Sequence, residues 1–296
     1  MQYNSKDCVL YHGDCVEVIK QLPDNSIHLT ISSFPFANLY TYSDDERDFS
    51  NVKDLEEYFS QLDFLIPELK RITKPGRLIC LHLKQIPTFK GRDGEIGLID
   101  FRGMMIKAFQ SHGWTFHNEI CIWTDPEIEA TRTKANSILY KTYRTQAEQT
   151  RVGMADWLIV MRKWTDEVCE HVLHEHTDES FKKWTEIASP CWFDIDRTNV
   201  LNKMIVKDDK DEKHMTPLQL DLIERLIDWY TNKGEIVFDP FNGVGSVTYQ
   251  AVKAGRKAIG IELKPSFFNQ SIKTMQLLEK EKNQISLEQL LGETNE

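Results

Sequence analysis

Apolar residues fall in short runs along this chain, broken by polar residues, glycines and prolines. Runs of about four to eight such residues between breakers read as strands, and longer stretches with apolar positions three and four apart read as amphipathic helices. Strands are therefore expected at 8–11, 27–32, 77–83, 115–123, 157–162, 235–237 and 257–262. Helices are expected at 13–22, 54–72, 100–112 and 218–229, and from the glycines after 242 to about 255. Asp14 stands near the start of the first helix and Gly113 closes the third. Residues 23–26 and 74–76 read as turns. Residues 165–188 are polar and give no assignment, 208–213 form a charged loop, and the tail from 279 reads as a charged peripheral helix. No internal repeat is visible.

The most informative segment is Phe238-Asp239-Pro240-Phe241-Asn242-Gly243-Val244-Gly245-Ser246. A strand, a glycine turn, a helix and a second strand ending in the acid Glu262 make half of a nucleotide-binding α/β unit. The two glycines let a ligand lie close to the main chain, and Glu262 can accept hydrogen bonds from ribose hydroxyls. The loop lacks the Gly-Lys-Ser/Thr ending of a phosphate cradle, and no Lys or Arg occurs from 238 to 250. A phosphate-rich ligand would want positive charge there; a nucleoside without phosphates, such as S-adenosylmethionine, would not. Taken alone, the pattern also fits a plain structural turn. Its position is unusual, because such loops tend to come early in a domain. Near the amino terminus, Leu29-Thr30-Ile31-Ser32-Ser33-Phe34-Pro35-Phe36 is another apolar strand, stopped at a proline and an aromatic. Placing both segments in one sheet gives a domain whose order has been rotated.

With these segments the chain resembles the amino-group DNA methyltransferases of the permuted β class, in which the catalytic motif precedes the cofactor motif. Their Ser/Asp/Asn-Pro-Pro-Tyr/Phe signature corresponds to Ser33-Phe34-Pro35-Phe36, and Asp-Pro-Phe-x-Gly-x-Gly to Asp239–Gly245. Their opening Gly-Asp-Cys corresponds to Gly13-Asp14-Cys15, and the stretch before the glycine loop to His214-Met215-Thr216-Pro217-Leu218-Gln219. The resemblance covers most of 8–164 and 189–275. It is greatest to solitary methylases of phages and prophages, which share the Tyr40-Thr41-Tyr42-Ser43 and Arg132-Thr133-Lys134 elements. Phe34, where the family usually has its first proline, is the departure.

The resemblance implies an α/β fold: a seven-stranded mixed sheet of the Rossmann-like, S-adenosylmethionine-dependent type, with helices on both faces. It divides the chain into a catalytic half (1–84), further core strands with an inserted target-recognition region (85–212), a cofactor half (213–278) and a charged tail (279–296). Cofactor and target base would meet across the carboxyl ends of adjacent strands. The cofactor would be held by Asp14, Thr216, Gln219, Asp239, Pro240, Phe241, Gly243, Gly245, Ser246 and Glu262. Asp14 could equally be a helix N-cap, and Thr216 or Gln219 could cap the helix that follows. His214 reads as structural.

The target chemistry explains the turn. The exocyclic amine of adenine or cytosine is conjugated with its ring and is a poor nucleophile. Two acceptors aimed at its hydrogens favour tetrahedral geometry; by the resemblance these are Ser33 Oγ and the Phe34 carbonyl. On this reading Phe34→Pro should be tolerated, since only the carbonyl is used. Pro35 fixes the turn, and Phe36 offers a face on which an extruded base can stack. The alternative is a strand-end turn with Phe34 and Phe36 in the core. Serine at the first motif position leans towards cytosine N-4 rather than adenine N-6, which stays the alternative.

Composition changes the picture in one respect. Lys and Arg number 36 against 46 acids, a net charge of −10, which is unfavourable for binding a polyanion. Yet 131–163 carries Arg132, Lys134, Lys141, Arg144, Arg151, Arg162 and Lys163 against only Glu148 and Asp156. A basic stripe on an acidic protein can bind DNA locally; Tyr40 and Tyr42 could stack with it or simply pack. Six cysteines without Cys-x-x-Cys spacing argue against zinc and a disulfide framework, so no metal is expected. Residues 1–7 carry no apolar signal core and no run of about 18 apolar residues occurs, so a cytoplasmic enzyme of a bacterium or phage-infected host is expected, without membrane contact. The expected activity is methylation of an amino group in a specific sequence of double-stranded DNA. A homodimer is compatible with the sequence, and a cognate restriction nuclease is left unknown. The rivals are an RNA or protein methyltransferase and a non-catalytic DNA-binding relative.

Overall fold

The computed structural model describes residues 1–36, 45, 47–133, 138–201 and 217–292. In chain order these form β1 (Gln2–Asn4), β2 (Cys8–His12), α1 (Cys15–Val18), β3 (Ile27–Ser33), α2 (Leu55–Ile72), β4 (Thr73–Lys84), β5 (Ile86–Pro87), α3 (Lys90–Asp93), β6 (Leu98–Ile99) and α4 (Phe101–Ser111). There follow β7 (Thr115–Ile122), α5 (Pro126–Thr133), α6 (Tyr140–Gln146), β8 (Asp156–Arg162), α7 (Asp178–Ile187), β9 (Cys191–Trp192), α8 (Leu220–Tyr230), β10 (Ile236–Asp239), α9 (Ser246–Lys253), β11 (Lys257–Glu262) and α10 (Pro265–Gly292). The chain divides into two compact units. One comprises Met1–Ser32, Arg71–Lys74 and Arg197–Glu296; the other comprises Ser33–Lys70 and Pro75–Asp196.

In the first unit the strand order is β1-β2-β11-β10-β3. All pairs but β1–β2 are parallel, with Ala258 opposite Cys8 and Val237 opposite Leu29. Two strands from the C-terminal end of the chain thus lie between strands from its N-terminal end, which is the rotated order expected from the late glycine loop. Parallel neighbours need covering helices, and α8 supplies a stripe: Leu222, Ile223, Leu226, Ile227 and Tyr230 are all buried. Truncating one of these leucines to alanine would cost about 2–5 kcal/mol.

In the second unit the order is β4-β8-β7-β9, with β4–β8 and β7–β8 antiparallel and β7–β9 parallel. Its core is aromatic: Phe34, Tyr58, Phe101 and Phe109 are fully buried, and Phe34 meets Phe109 edge-on at 6.1 Å. Among the described residues nine strands lie in these two orders, against the seven expected. The additional ones are β1 and β9, of three and two residues, too short to show a period. The short β5–β6 pair was also not expected. Two further differences have local causes. The expected turn at 74–76 lies inside β4, where Gly76 takes a φ of +77°. The unassigned 165–188 contains α7, opened by a reciprocal cap between Thr177 and Ser180.

Candidate active site

In the first unit, the carboxyl ends of β2, β11, β10 and β3 carry Asp14, Glu262, Asp239 and Ser32. Gly13 N donates to the Glu262 carbonyl at 3.0 Å, binding the ends of β2 and β11 together. Asp14 caps α1, its Oδ1 accepting from Val16 N at 2.9 Å.

The glycine loop is latched by the neighbouring strand. Glu262 Oε2 accepts from Gly243 N at 2.7 Å and its Oε1 from Lys264 N at 2.8 Å. Asn242 N donates to the Ile261 carbonyl at 2.9 Å, and Asn242 Oδ1 accepts from Thr248 Oγ1 at 2.9 Å. Gly260 makes room for this asparagine, since a Cβ there would come within 2.6 Å of Asn242. Sequence reasoning missed both residues.

The two glycines expected to admit a ligand differ. Gly243 has a φ of +53°, and a Cβ built on it would meet nothing within 4 Å among the described residues. Gly245, with a φ of +93°, would put its Cβ 3.1 Å from Ser271 Cβ on α10 and 3.3 Å from Thr248 Oγ1. Among the described residues Gly243 therefore faces open space, whereas a side chain at Gly245 would press on α10. Pro240 is buried, Phe241 is half-buried, and Ser246 is the buried first residue of α9. Gln219 is buried at the start of α8 and makes no side-chain bond to that helix's amides, so the capping alternative does not apply to it. Thr216 and His214 lie outside the described residues.

Asp239 is almost wholly buried. Its Oδ1 accepts from Ser32 Oγ at 2.6 Å and from Phe241 N at 3.0 Å. Burial raises its carboxyl to about 7, against the opposing effect of these two donors. The sign of the linkage follows. The folded protein holds this proton up to about pH 7, whereas the unfolded chain releases it near about pH 4. The stability associated with it is thus present at low pH and is lost as pH rises from about 4 through about 7. Asp239→Asn, which removes the buried charge, is expected to flatten the fall in stability over that range. Denaturant midpoints across it check this, and an unchanged slope would refute it.

In the second unit the turn after β3 presents Ser33, Phe34, Pro35 and Phe36. The Pro35 carbonyl accepts from Tyr58 Oη at 2.8 Å, and Phe36 is half-buried, edge-on to His82 at 6.4 Å. The Phe34 side chain is 1% exposed in the aromatic core. This corrects the expectation that Phe34→Pro is tolerated: losing that ring from a packed core would cost about 3–5 kcal/mol, as large-to-small aromatic changes do.

Ser33 Oγ lies 3.1 Å from His82 Nδ1. Across the β4–β8 pair, Lys84 stands opposite Asp156, and its Nζ meets Asp156 Oδ1 at 2.7 Å. His82, two residues back on the same face of β4, has Nε2 3.7 Å from Asp156 Oδ2, beyond hydrogen-bond length. Burial pushes the Asp156 carboxyl up, but the opposing pull of His82 and Lys84 prevails and holds it well below the usual range. Sequence reasoning missed His82, Lys84 and Asp156. The available signal was polar residues alternating within a buried strand, Leu81-His82-Leu83-Lys84.

The expected DNA stripe falls partly within the described residues. Lys141 and Arg144 are exposed on α6, with Arg144 over the Tyr140 ring at 5.7 Å. Arg151 is half-buried, its Nη1 donating to the Val152 carbonyl at 3.1 Å, and burial lowers its pKa. Arg132 lies in α5. Tyr40, Tyr42 and Lys134 lie outside the described residues. Among the described residues no helix is long and apolar enough to cross a membrane.

The profile of the N6/N4 methyltransferase family, described as DNA methylase, matches residues 27–273. The type II methyltransferase M.BglII of Bacillus subtilis is 25% identical over 259 residues, covering 87% of this chain and 66% of that protein. M.BamHI of Bacillus amyloliquefaciens is 26% identical over 272 residues, covering 86% of this chain and 54% of its own length. The chain thus spans just under two thirds of the one and about half of the other. Among solved structures, the cytosine-N4-specific PvuII DNA methyltransferase has a TM-score of 0.65 at 16% identity, covering 92% of this chain and 87% of that one. A Thermus thermophilus protein described as a DNA modification methylase, solved with S-adenosyl-L-methionine, has a TM-score of 0.60 at 20% identity, covering 88% and 90%. At these identities the likeness is one of fold.

Proposed function

The chain belongs to the N6/N4 DNA methylase family, and from that premise we propose that it methylates an exocyclic amino group of a base in double-stranded DNA, using S-adenosylmethionine. The observation that carries the reading is the presence in one chain of a carboxylate-lined glycine loop, in the first unit, and a serine-proline-phenylalanine turn, in the second. The loop fits this cofactor in its chemistry. Asp14, Asp239 and Glu262 suit a ligand bearing an ammonium, a sulfonium and ribose hydroxyls. The open space over Gly243 admits it, and no basic residue from 238 to 250 invites phosphate. When bound, the cofactor supplies an electrophilic methyl group. The residues that would hold it are Asp14, Gln219, Asp239 and Glu262, with the Gly243 main chain; Thr216, Pro240, Phe241, Gly245 and Ser246 complete the set carried over from the family pattern.

On the target side, Ser33 Oγ and the Phe34 carbonyl would accept from the amino hydrogens, and Phe36 would stack on the extruded base. Serine at the first position favours cytosine N-4 over adenine N-6. Incubation with labelled S-adenosylmethionine and duplex DNA, RNA or protein, then mass analysis of the nucleosides, tests substrate and base together. Label in N-4-methylcytosine supports the reading. Label in N-6-methyladenine moves the target, and label only in RNA or protein overturns it.

Affinity for DNA should fall with salt by roughly 0.9 per phosphate contact on a log–log plot. Neutralising Lys141 and Arg144 together should reduce that slope by about two and leave cofactor affinity unchanged. A slope equal to the parent's would remove α6 from the DNA surface.

A further inference from the structure

We infer that His82, oriented by Asp156 and Lys84, fixes the Ser33 hydroxyl as an acceptor towards the target amine and receives the proton that the amine loses. The inference rests on the methyltransferase reading, but its geometry lies wholly within one unit of the fold.

His82 is buried, and its two ring nitrogens face different groups. Nδ1 is 3.1 Å from Ser33 Oγ, and Nε2 is 3.7 Å from an Asp156 carboxylate oxygen. Nε2 makes no hydrogen bond among the described residues, so its environment is set by charge. The charged groups facing it are Asp156 on β8 and Lys84 on β4, joined by their own short ion pair; the Cys121 thiol on β7 lies near Asp156. A carboxylate opposite Nε2 favours the tautomer with its hydrogen there. Nδ1 then carries a lone pair, and the Ser33 hydroxyl must donate to it. A serine whose hydrogen is engaged in this way turns its oxygen lone pairs outward, as accepting from an amino group requires. Without His82 the hydroxyl could rotate and meet the amine hydrogen to hydrogen.

The same chain disposes of the surplus proton. As the N–CH3 bond forms and the S–CH3 bond breaks, the amino nitrogen becomes cationic. One of its protons passes to Ser33 Oγ while the serine's own passes to His82 Nδ1. The imidazolium so formed faces Asp156, which is already ionised. No charge is created or lost, and no further reactant is needed. His82 acts through Ser33 and is a positioning and relay residue. Asp156 holds its tautomer, and Lys84 holds Asp156.

Two measurements test this. In protein with ¹⁵N-labelled histidine, the neutral form of His82 should be the Nε2–H tautomer. Ser33→Ala should move the Nδ1 resonance and leave Nε2 nearly unchanged. An Nδ1–H tautomer, or a Nδ1 indifferent to Ser33→Ala, overturns the arrangement whether or not the protein methylates anything. In turnover, His82→Asn keeps an acceptor for the serine hydroxyl but cannot take its proton. It should lower kcat by about 100-fold, as expected for losing a proton acceptor, with KM for DNA and cofactor within about twofold. The parental kcat should fall towards low pH, where a protonated imidazole cannot accept, and this fall should be absent in His82→Asn. A variant with parental kcat, or with the acid limb intact, overturns the relay. Failure of the parent on every substrate would instead overturn the methyltransferase reading, and the ¹⁵N spectra would still decide the tautomer.

Discussion

Gly243→Val is expected to yield a folded protein that has lost S-adenosylmethionine binding, with affinity at least about 100-fold weaker, or roughly 3 kcal/mol. Two features of the position combine. Its φ of +53° lies where a β-branched residue is strained, and the direction a side chain would take is empty to 4 Å among the described residues. The strain costs about 1–3 kcal/mol of stability, which thermal melts would register. The greater effect falls on the ligand, because the valine methyls would fill the space above the loop. Gly245→Ala is the contrasting variant. Its Cβ would press on Ser271 and Thr248, so the loss should appear as stability more than as affinity. Glu262→Ala should weaken cofactor binding by about 1.5–3 kcal/mol, part of it because Gly243 N loses its acceptor. Calorimetry separates the three. Unchanged affinity in a folded Gly243→Val protein would refute the loop as the cofactor site.

The Ser33→Ala, Phe36→Ala double variant is expected to lose turnover by about 1000-fold or more while binding cofactor normally. Ser33 contributes an acceptor used as the amine becomes tetrahedral; losing one polar group of this kind costs about 100- to 1000-fold in kcat. Phe36 contributes a stacking face worth about 1–3 kcal/mol per base, and its loss should appear as weaker capture of the target. Phe36 is only half-buried, so its truncation should cost less stability than that of Phe34, which the core encloses. Single-turnover methylation of a duplex, with cofactor affinity measured alongside, distinguishes these effects. Parental activity in the double variant would make this turn structural.

The features legible in the order of residues are local or periodic. β11 at Lys257–Glu262, α8 and the short helix after Asp14 follow from apolar spacing, glycine stops and a capping acid, all of which act within a few residues. The rotated order was also legible, because the glycine loop stands late in the chain and the Ser33 turn early. Which polar groups meet depends on the folded chain. His82 and Asp156 are 74 positions apart and come together only because β4 and β8 pair in the register that sets Lys84 against Asp156. Asp239 is far from Ser32 in sequence, yet packing brings them into one hydrogen bond and buries the carboxyl enough to shift its titration. The same holds for the paired glycines, identical as letters, one facing open space and the other pressed against α10. Strand register and helix packing are set by the sum of many weak apolar contacts across the fold, so the partners of a single polar side chain leave no mark in its own neighbourhood of the sequence.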